Sequence, residues 1–120
     1  MATKKTVRCL IIDVKKNEVR DETITKDLDT YYEKIGTDMI EIPTYRVGGK
    51  AFDFICDEEG LLKDSPIASG FDENGKPMLV GNLIITGPNG RNLTDETIAH
   101  LRKHVVNTTA GWRLTGIAYC

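Results

Sequence analysis

A chain of 120 residues, 40% hydrophobic and 28% charged, is long enough for one domain with a real core and too short for two. Its formal charge of −2 gives no electrostatic case for binding duplex nucleic acid or an anionic membrane, and no apolar run reaches the ~18–20 residues that span a bilayer. Three cysteines, Cys9, Cys56 and Cys120, cannot all pair and show no CxxC spacing, which points to a reduced, cytoplasmic setting.

Met1 to Lys5 carries charge but leads only into a short apolar stretch ending at Asp13, a first strand and not a secretory signal. Val7 to Val14 is nearly continuous apolar, the pattern of a strand covered on both faces. Lys15 to Glu18 reads as a turn, and Val19 to Ile24 as a more polar returning strand. Thr25 is a suitable N-cap, Leu28, Tyr31, Tyr32 and Ile35 follow at helical spacing, and Gly36 suits the C′ position. A helix over 26–35 is expected.

The clearest hairpin is Tyr45-Arg46-Val47, then Gly48-Gly49, then Lys50-Ala51-Phe52, because two glycines suit the primed turns. Upstream, Ile40 and Ile42 are even-numbered whereas Tyr45 and Val47 are odd. The change falls at Pro43-Thr44 and suggests a bulge or an edge kink. Phe52, Phe54 and Cys56 share one face, so Asp53 points to the other.

Asp57-Glu58-Glu59-Gly60 then poses the question of a metal loop, paired catalytic carboxylates or a plain turn. A calcium loop needs oxygen ligands at alternate positions, a central glycine and a distal bidentate acid, which this segment lacks. A solvated turn closing on a glycine of positive φ is the reading, with Leu61 and Leu62 returning to the core. Residues 65–77 read as a long loop with a turn at Asn74-Gly75, in which Phe71 either pins the loop to the core, the favoured reading, or awaits a partner. Leu79 to Thr86 reads as one central strand in which Gly81 marks a bulge or a close approach of another backbone.

Thr94 caps a second helix, with Asp95 and Glu96 in its first turn. Leu93 and Ile98 form a hydrophobic staple, and Ile98, Leu101 and Val105 make the buried stripe. His100 and His104 stand four apart, a spacing that can chelate zinc, but Arg102 and Lys103 lie between them and no glutamate is near. Solvated surface histidines and no metal are expected. Trp112 to Tyr119 forms a last strand, at an edge or between subunits. The whole reads as a single α+β domain, residues 1–120 with a core at about 7–105, built on a mostly antiparallel sheet of about five to six strands with two helices packed on it.

Three function classes compete. An enzyme needs a nucleophile with its base, a metal cluster or opposed carboxylates, and here only a carboxylate-dependent chemistry could be built. A binder of a small anionic or nucleotide-like ligand could use Asn89 and Arg91 in the glycine-rich turn before a helix N-terminus, although Asp95 and Glu96 oppose an anion there. Tyr45 with Arg46 and Trp112 with Arg113 each offer a flat ring and a guanidinium. Adjacent strand residues face opposite ways, so a site must join an arginine from one element to an aromatic from another, within the chain or across a dimer. A protein–protein inhibitor needs only a surface, such as the long loop, the hairpin tip or the aromatic tail.

The segments YYEKIGTDMIEI, VGGKAFDFICDEEGLLKDSPIAS, MLVGNLIITG and LTDETIAHL occur here in the order found in a family of small phage and plasmid proteins. The chain resembles that family, number thirty-eight forty-six among those of unknown function, over about residues 7–105. The resemblance brings no catalytic residue. It implies an accessory gene of a mobile element working in a host bacterial cytoplasm, and an acid turn that belongs to the scaffold. The expectation is a non-enzymatic, cofactor-free, homo-oligomeric counter-defence protein that sequesters a nucleotide-like signal. Direct inhibition of a host defence protein is the alternative, and a small carboxylate-dependent enzyme the third.

Overall fold

The computed structural model describes residues 5–60 and 67–120. Among these residues ten strands form a sheet flanked by two helices. In chain order these are β1 (Thr6–Asp13), β2 (Glu18–Thr25), α1 (Leu28–Ile35), β3 (Ile40–Glu41), β4 (Thr44–Val47), β5 (Lys50–Asp57), β6 (Ala68–Asp72), β7 (Pro77–Val80), β8 (Leu83–Thr86), α2 (Asp95–Arg102), β9 (Val105–Thr108) and β10 (Gly111–Tyr119). The path across the sheet is β2-β1-β8-β5-β4-β10-β6-β7, with β3 on β5 and β9 on β10. Every pair is antiparallel except β6 with β10. The α+β class and the two helices agree with the sequence, while the expected five to six strands become ten in a mixed sheet.

The sheet is covered on both faces. On one, Leu10, Ile12, Phe52, Phe54 and Leu83 pack with Leu93, Ile98 and Leu101 at α2. On the other, Val7, Cys9, Ile11, Ile55 and Ile84 pack with Tyr31 and Ile35 of α1. This is why β1 reads as continuously apolar: alternate side chains enter different cores, each large one contributing ~1.5–3 kcal/mol. The same fact explains the parity change around Pro43. Ile40 pairs with Asp57, Glu41 with Cys56, and Thr44 with Asp53, so the register runs through without an inserted residue. The expected bulge is absent; Ile40 serves the α1 face, and Tyr45 and Val47 serve the α2 face. Pro43 interrupts the ladder only as a missing donor, and its carbonyl still accepts from Phe54 N–H at 2.9 Å.

Four further expectations are corrected. Asp27, not Thr25, caps α1 by accepting from Thr30 N–H, and Thr25 belongs to β2; Gly36 closes the helix in the left-handed region as expected. Leu28 lies outside the stripe, 54% exposed. The 65–77 segment is largely the β6–β7 hairpin, with Phe71 opposite Pro77; Ser65 and Pro66, like Leu61 and Leu62, lie outside the described residues. Leu79 to Thr86 is two strands, broken at Gly81 (φ 75°) and the buried Asn82. Asn82 accepts from Val14 N–H and donates to the Lys34 carbonyl, tying β1 to α1. Because β7 ends the sheet path while β8 lies third from its other end, this two-residue link forces the sheet to curl.

The tail strand is interior. β10 pairs with β4, β6 and β9, and Gly116 (φ 75°) shifts its register so that Leu114 and Ile117 both reach the α2-side core. The argument that this strand is an open edge in need of a second subunit therefore falls.

The acid segment is a turn. Glu59 N–H is held by Asp57 Oδ1 and Glu58 N–H by the Met39 carbonyl. Gly60 is not there for a positive φ: it is buried, and a methyl in its place would run into the Val80 side chain.

Candidate functional site

The six sequence-derived candidates fall in different places. Tyr45 is half-buried, its ring 5.6 Å from Phe54 and 5.5 Å from Tyr119. Arg46 is exposed on the opposite face and lines a cleft with Gly48, Gly49, Glu73, His104 and Gly116. Asn89 (φ 61°) sits in a short turn at Pro88–Gly90 that faces the start of α1, not the start of α2. Arg91 is exposed, its backbone bridged to Gly87. The α2 N-terminus is closed by a reciprocal box in which Thr94 accepts from Thr97 N–H and Thr97 Oγ1 from Thr94 N–H, leaving less for an anion.

Arg113 is buried, 5% exposed, and donates to the carbonyls of Trp112 (2.7 Å) and Ala110 (3.0 Å). Its guanidinium fastens the β9–β10 turn. Trp112, by contrast, is 37% exposed. It lines a groove of about 220 Å³ with Val19, Val105 and Arg102. The register explains the grouping: Val105 pairs with Leu114 and Asn107 with Trp112, so Val105 and Trp112 lie diagonally on one face of the ribbon. Arg102, in the last turn of α2, brings a guanidinium to the same groove. The aromatic and the arginine thus come from two elements, as the strand geometry required, but the arginine is Arg102. Its position on a helix separated from β10 by β9 left no local signal in the sequence.

Arg102 also acts on its surroundings. The Asp21 carboxyl is held below its usual range first by the bidentate Arg8 guanidinium, with desolvation opposing and the positive field of Arg102 assisting. Arg102 itself forms no ion pair among the described residues.

His100 and His104 are not solvated surface groups. His100 Nε2 is 2.7 Å from the Val47 carbonyl, its ring stacks on Phe52 at 6.2 Å, and the two imidazoles are 5.5 Å apart. Both pack against Gly48, and His104 also against Gly116. They brace the hairpin tip. Among the described residues no three His, Cys, Asp or Glu side chains are grouped to hold a metal. Burial pushes the Cys9 and Cys56 thiols up to about 12, far from the thiolate that nucleophilic chemistry uses.

No described helix is long and apolar enough to cross a membrane. No curated protein and no solved structure matches the chain. Residues 7–106 match the family described as a domain of unknown function, DUF3846. That span ends within β9 and takes in Val19, Arg102 and Val105 of the groove but not Trp112 or any of β10. With most of its length matched, the chain belongs to the DUF3846 family.

Proposed function

We propose that this chain is a non-enzymatic binding protein that sequesters a small nucleotide-like molecule in the bacterial cytoplasm, as a counter-defence product of a mobile element. The observation that carries the reading is the groove joining the half-exposed Trp112 indole to the Arg102 guanidinium between Val19 and Val105. An indole face stacks a planar base, the valines exclude water from its edge, and a guanidinium with no ion-pair partner among the described residues takes the phosphate. The mobile-element context comes from the family resemblance alone.

Trp112 is the sole tryptophan, so its emission reports directly on the groove. Titration with mononucleotides and cyclic dinucleotides is expected to quench it saturably, and Arg102→Gln to weaken the binding roughly tenfold or more. Unchanged emission across these ligands, with no nucleotide co-purifying from host cells, would remove the reading.

Inhibition of a host protein is the second reading. Among the described residues β3 is paired on one side only, by β5, and Ile42 beside it is 49% exposed. An extended segment of a partner could add to that edge. Pull-down of a host protein that Ile42→Asp abolishes, with Arg102→Gln still active, would favour it.

A further inference from the structure

A second cleft, of about 360 Å³, lies on the opposite face of the sheet, between the start of α1 and the Pro88–Gly90 turn. Its floor is drawn from two adjacent rows running across the strands, Ile42 and Ile55 from one and Asp53 and Thr86 from the next. In one, Ile55 pairs with Ile84, and the unbroken register of β3 and β4 places Ile42 opposite Ile55. In the next, two residues along, Asp53 lies between Thr44 and Thr86. An apolar row therefore abuts a polar one. Leu28 and Ile42, 54% and 49% exposed, wall the apolar side; they are large aliphatic side chains turned toward a cavity and not into the core.

The polar side carries both signs of charge. The Thr44 hydroxyl donates to Asp53 Oδ1 at 2.7 Å, which fixes the carboxylate. Across the cleft the Lys26 amine lies over Gly90, close enough that a methyl there would meet Nζ at 2.9 Å. Among the described residues, neither Lys26 nor Asp53 has an ion-pair partner, and they do not pair with each other. Asp27, which caps α1, adds a second carboxylate to the lining. The Asp53 carboxylate disfavours a phosphate, so this cleft differs in kind from the Trp112 groove.

We propose that this cleft binds a free α-amino acid with an apolar side chain, its ammonium on Asp53, its carboxylate on Lys26 and its side chain over Ile42, Ile55 and Leu28. A head group with both charges complements the separated Lys26 and Asp53, and a branched or aromatic tail complements the aliphatic row. The site stands on residues outside the Trp112 groove and is independent of the nucleotide reading.

The test is calorimetric titration of the full chain with L-leucine and L-phenylalanine, beside two leucine analogues, 3-methylbutylamine without the carboxylate and 4-methylpentanoic acid without the ammonium. Leucine is expected to bind and each analogue to bind roughly tenfold or more weakly. Lys26→Gln should erase the preference for leucine over the amine, and Asp53→Asn the preference over the acid. Each variant is first checked for an unchanged circular dichroism spectrum, and Lys26→Gln, on an exposed side chain, serves should Asp53→Asn fail to fold. Arg102→Gln should leave leucine binding unchanged. No binding of any apolar amino acid, equal binding of leucine and its analogues, or folded variants with unaltered preference would each overturn the proposal.

Discussion

Asn17 Oδ1 accepts the backbone N–H of Trp112 at 2.9 Å, joining the β1–β2 turn to the first residues of β10 across 95 positions of sequence. Both segments have positive φ there, Asn17 at 55° and Gly111 at 120°, and a side chain on Gly111 would collide with the Asn17 amide. It places the indole at the mouth of the groove. Asn17→Ala is expected to cost about 1 kcal/mol for the bond and about 1 more for left-handed alanine. Denaturant unfolding gives the loss, and Trp112 emission of the folded variant should shift, since the ring loses its anchor. An unshifted emission would mean that Arg113 alone positions the ring.

The two glycines of the β4–β5 turn separate backbone strain from packing. Both have positive φ, 57° at Gly48 and 83° at Gly49, but only Gly48 has the imidazoles of His100 and His104 against it. Gly49→Ala should cost about 1–2 kcal/mol, the backbone term alone. Gly48→Ala should cost about 1–3 kcal/mol beyond that, because the histidines must leave the Val47 carbonyl and the Phe52 ring. Equal losses on thermal melting would show that the histidines move freely.

The acid turn offers a similar contrast. Glu58→Gln and Glu59→Gln alter exposed side chains and should change stability by less than about 0.5 kcal/mol. Gly60→Ala, one residue on, pushes a methyl into Val80 and should cost about 1–3 kcal/mol. Chemical unfolding of the three variants is sufficient. A large loss from either glutamine would give those carboxylates a role the turn geometry does not.

Where a signal was local, the sequence carried it: the Gly48-Gly49 hairpin, the Thr94 cap with its Leu93–Ile98 staple, and the buried β1 all stand where their residues pointed. What failed needed long-range pairing. β9 is only four residues, Val105 to Thr108, three of them exposed, with no alternation to mark it, and it exists because β10 pairs with it. The Pro43 parity change looked like a bulge because one covered face was assumed; with two, the same pattern needs no irregularity. The site followed the same rule. Trp112 was legible as an aromatic near a guanidinium, but the adjacent Arg113 turns inward to two carbonyls, and Arg102 arrives through the packing of α2.

Acid should reach the fold through the β1–β2 ribbon. Asp13 is 5% exposed, and burial by itself would push its carboxyl up; the Lys16 N–H at 3.0 Å and the Arg20 guanidinium at 3.0 Å outweigh that and hold it below the usual range. Arg20 holds the Glu22 carboxyl low as well, with Lys34 assisting against desolvation. A carboxyl whose pKa is lower folded than unfolded stabilises the fold above its unfolded value and loses that contribution as pH falls through the folded one. Stability should therefore be level near neutrality and decline below about pH 4, the ordinary carboxylate range. Asp13→Asn removes the group that titrates and leaves Arg20 with Glu18 and Glu22. The variant should be less stable at pH 7, by about 1–3 kcal/mol for the charged hydrogen bonds lost, and its stability should fall less steeply in acid. Urea unfolding of both proteins between pH 7 and pH 3 makes the comparison. Parallel curves displaced by a constant amount would show that Asp13 titrates alike in the folded and unfolded chain, and that the acid sensitivity of this ribbon lies elsewhere.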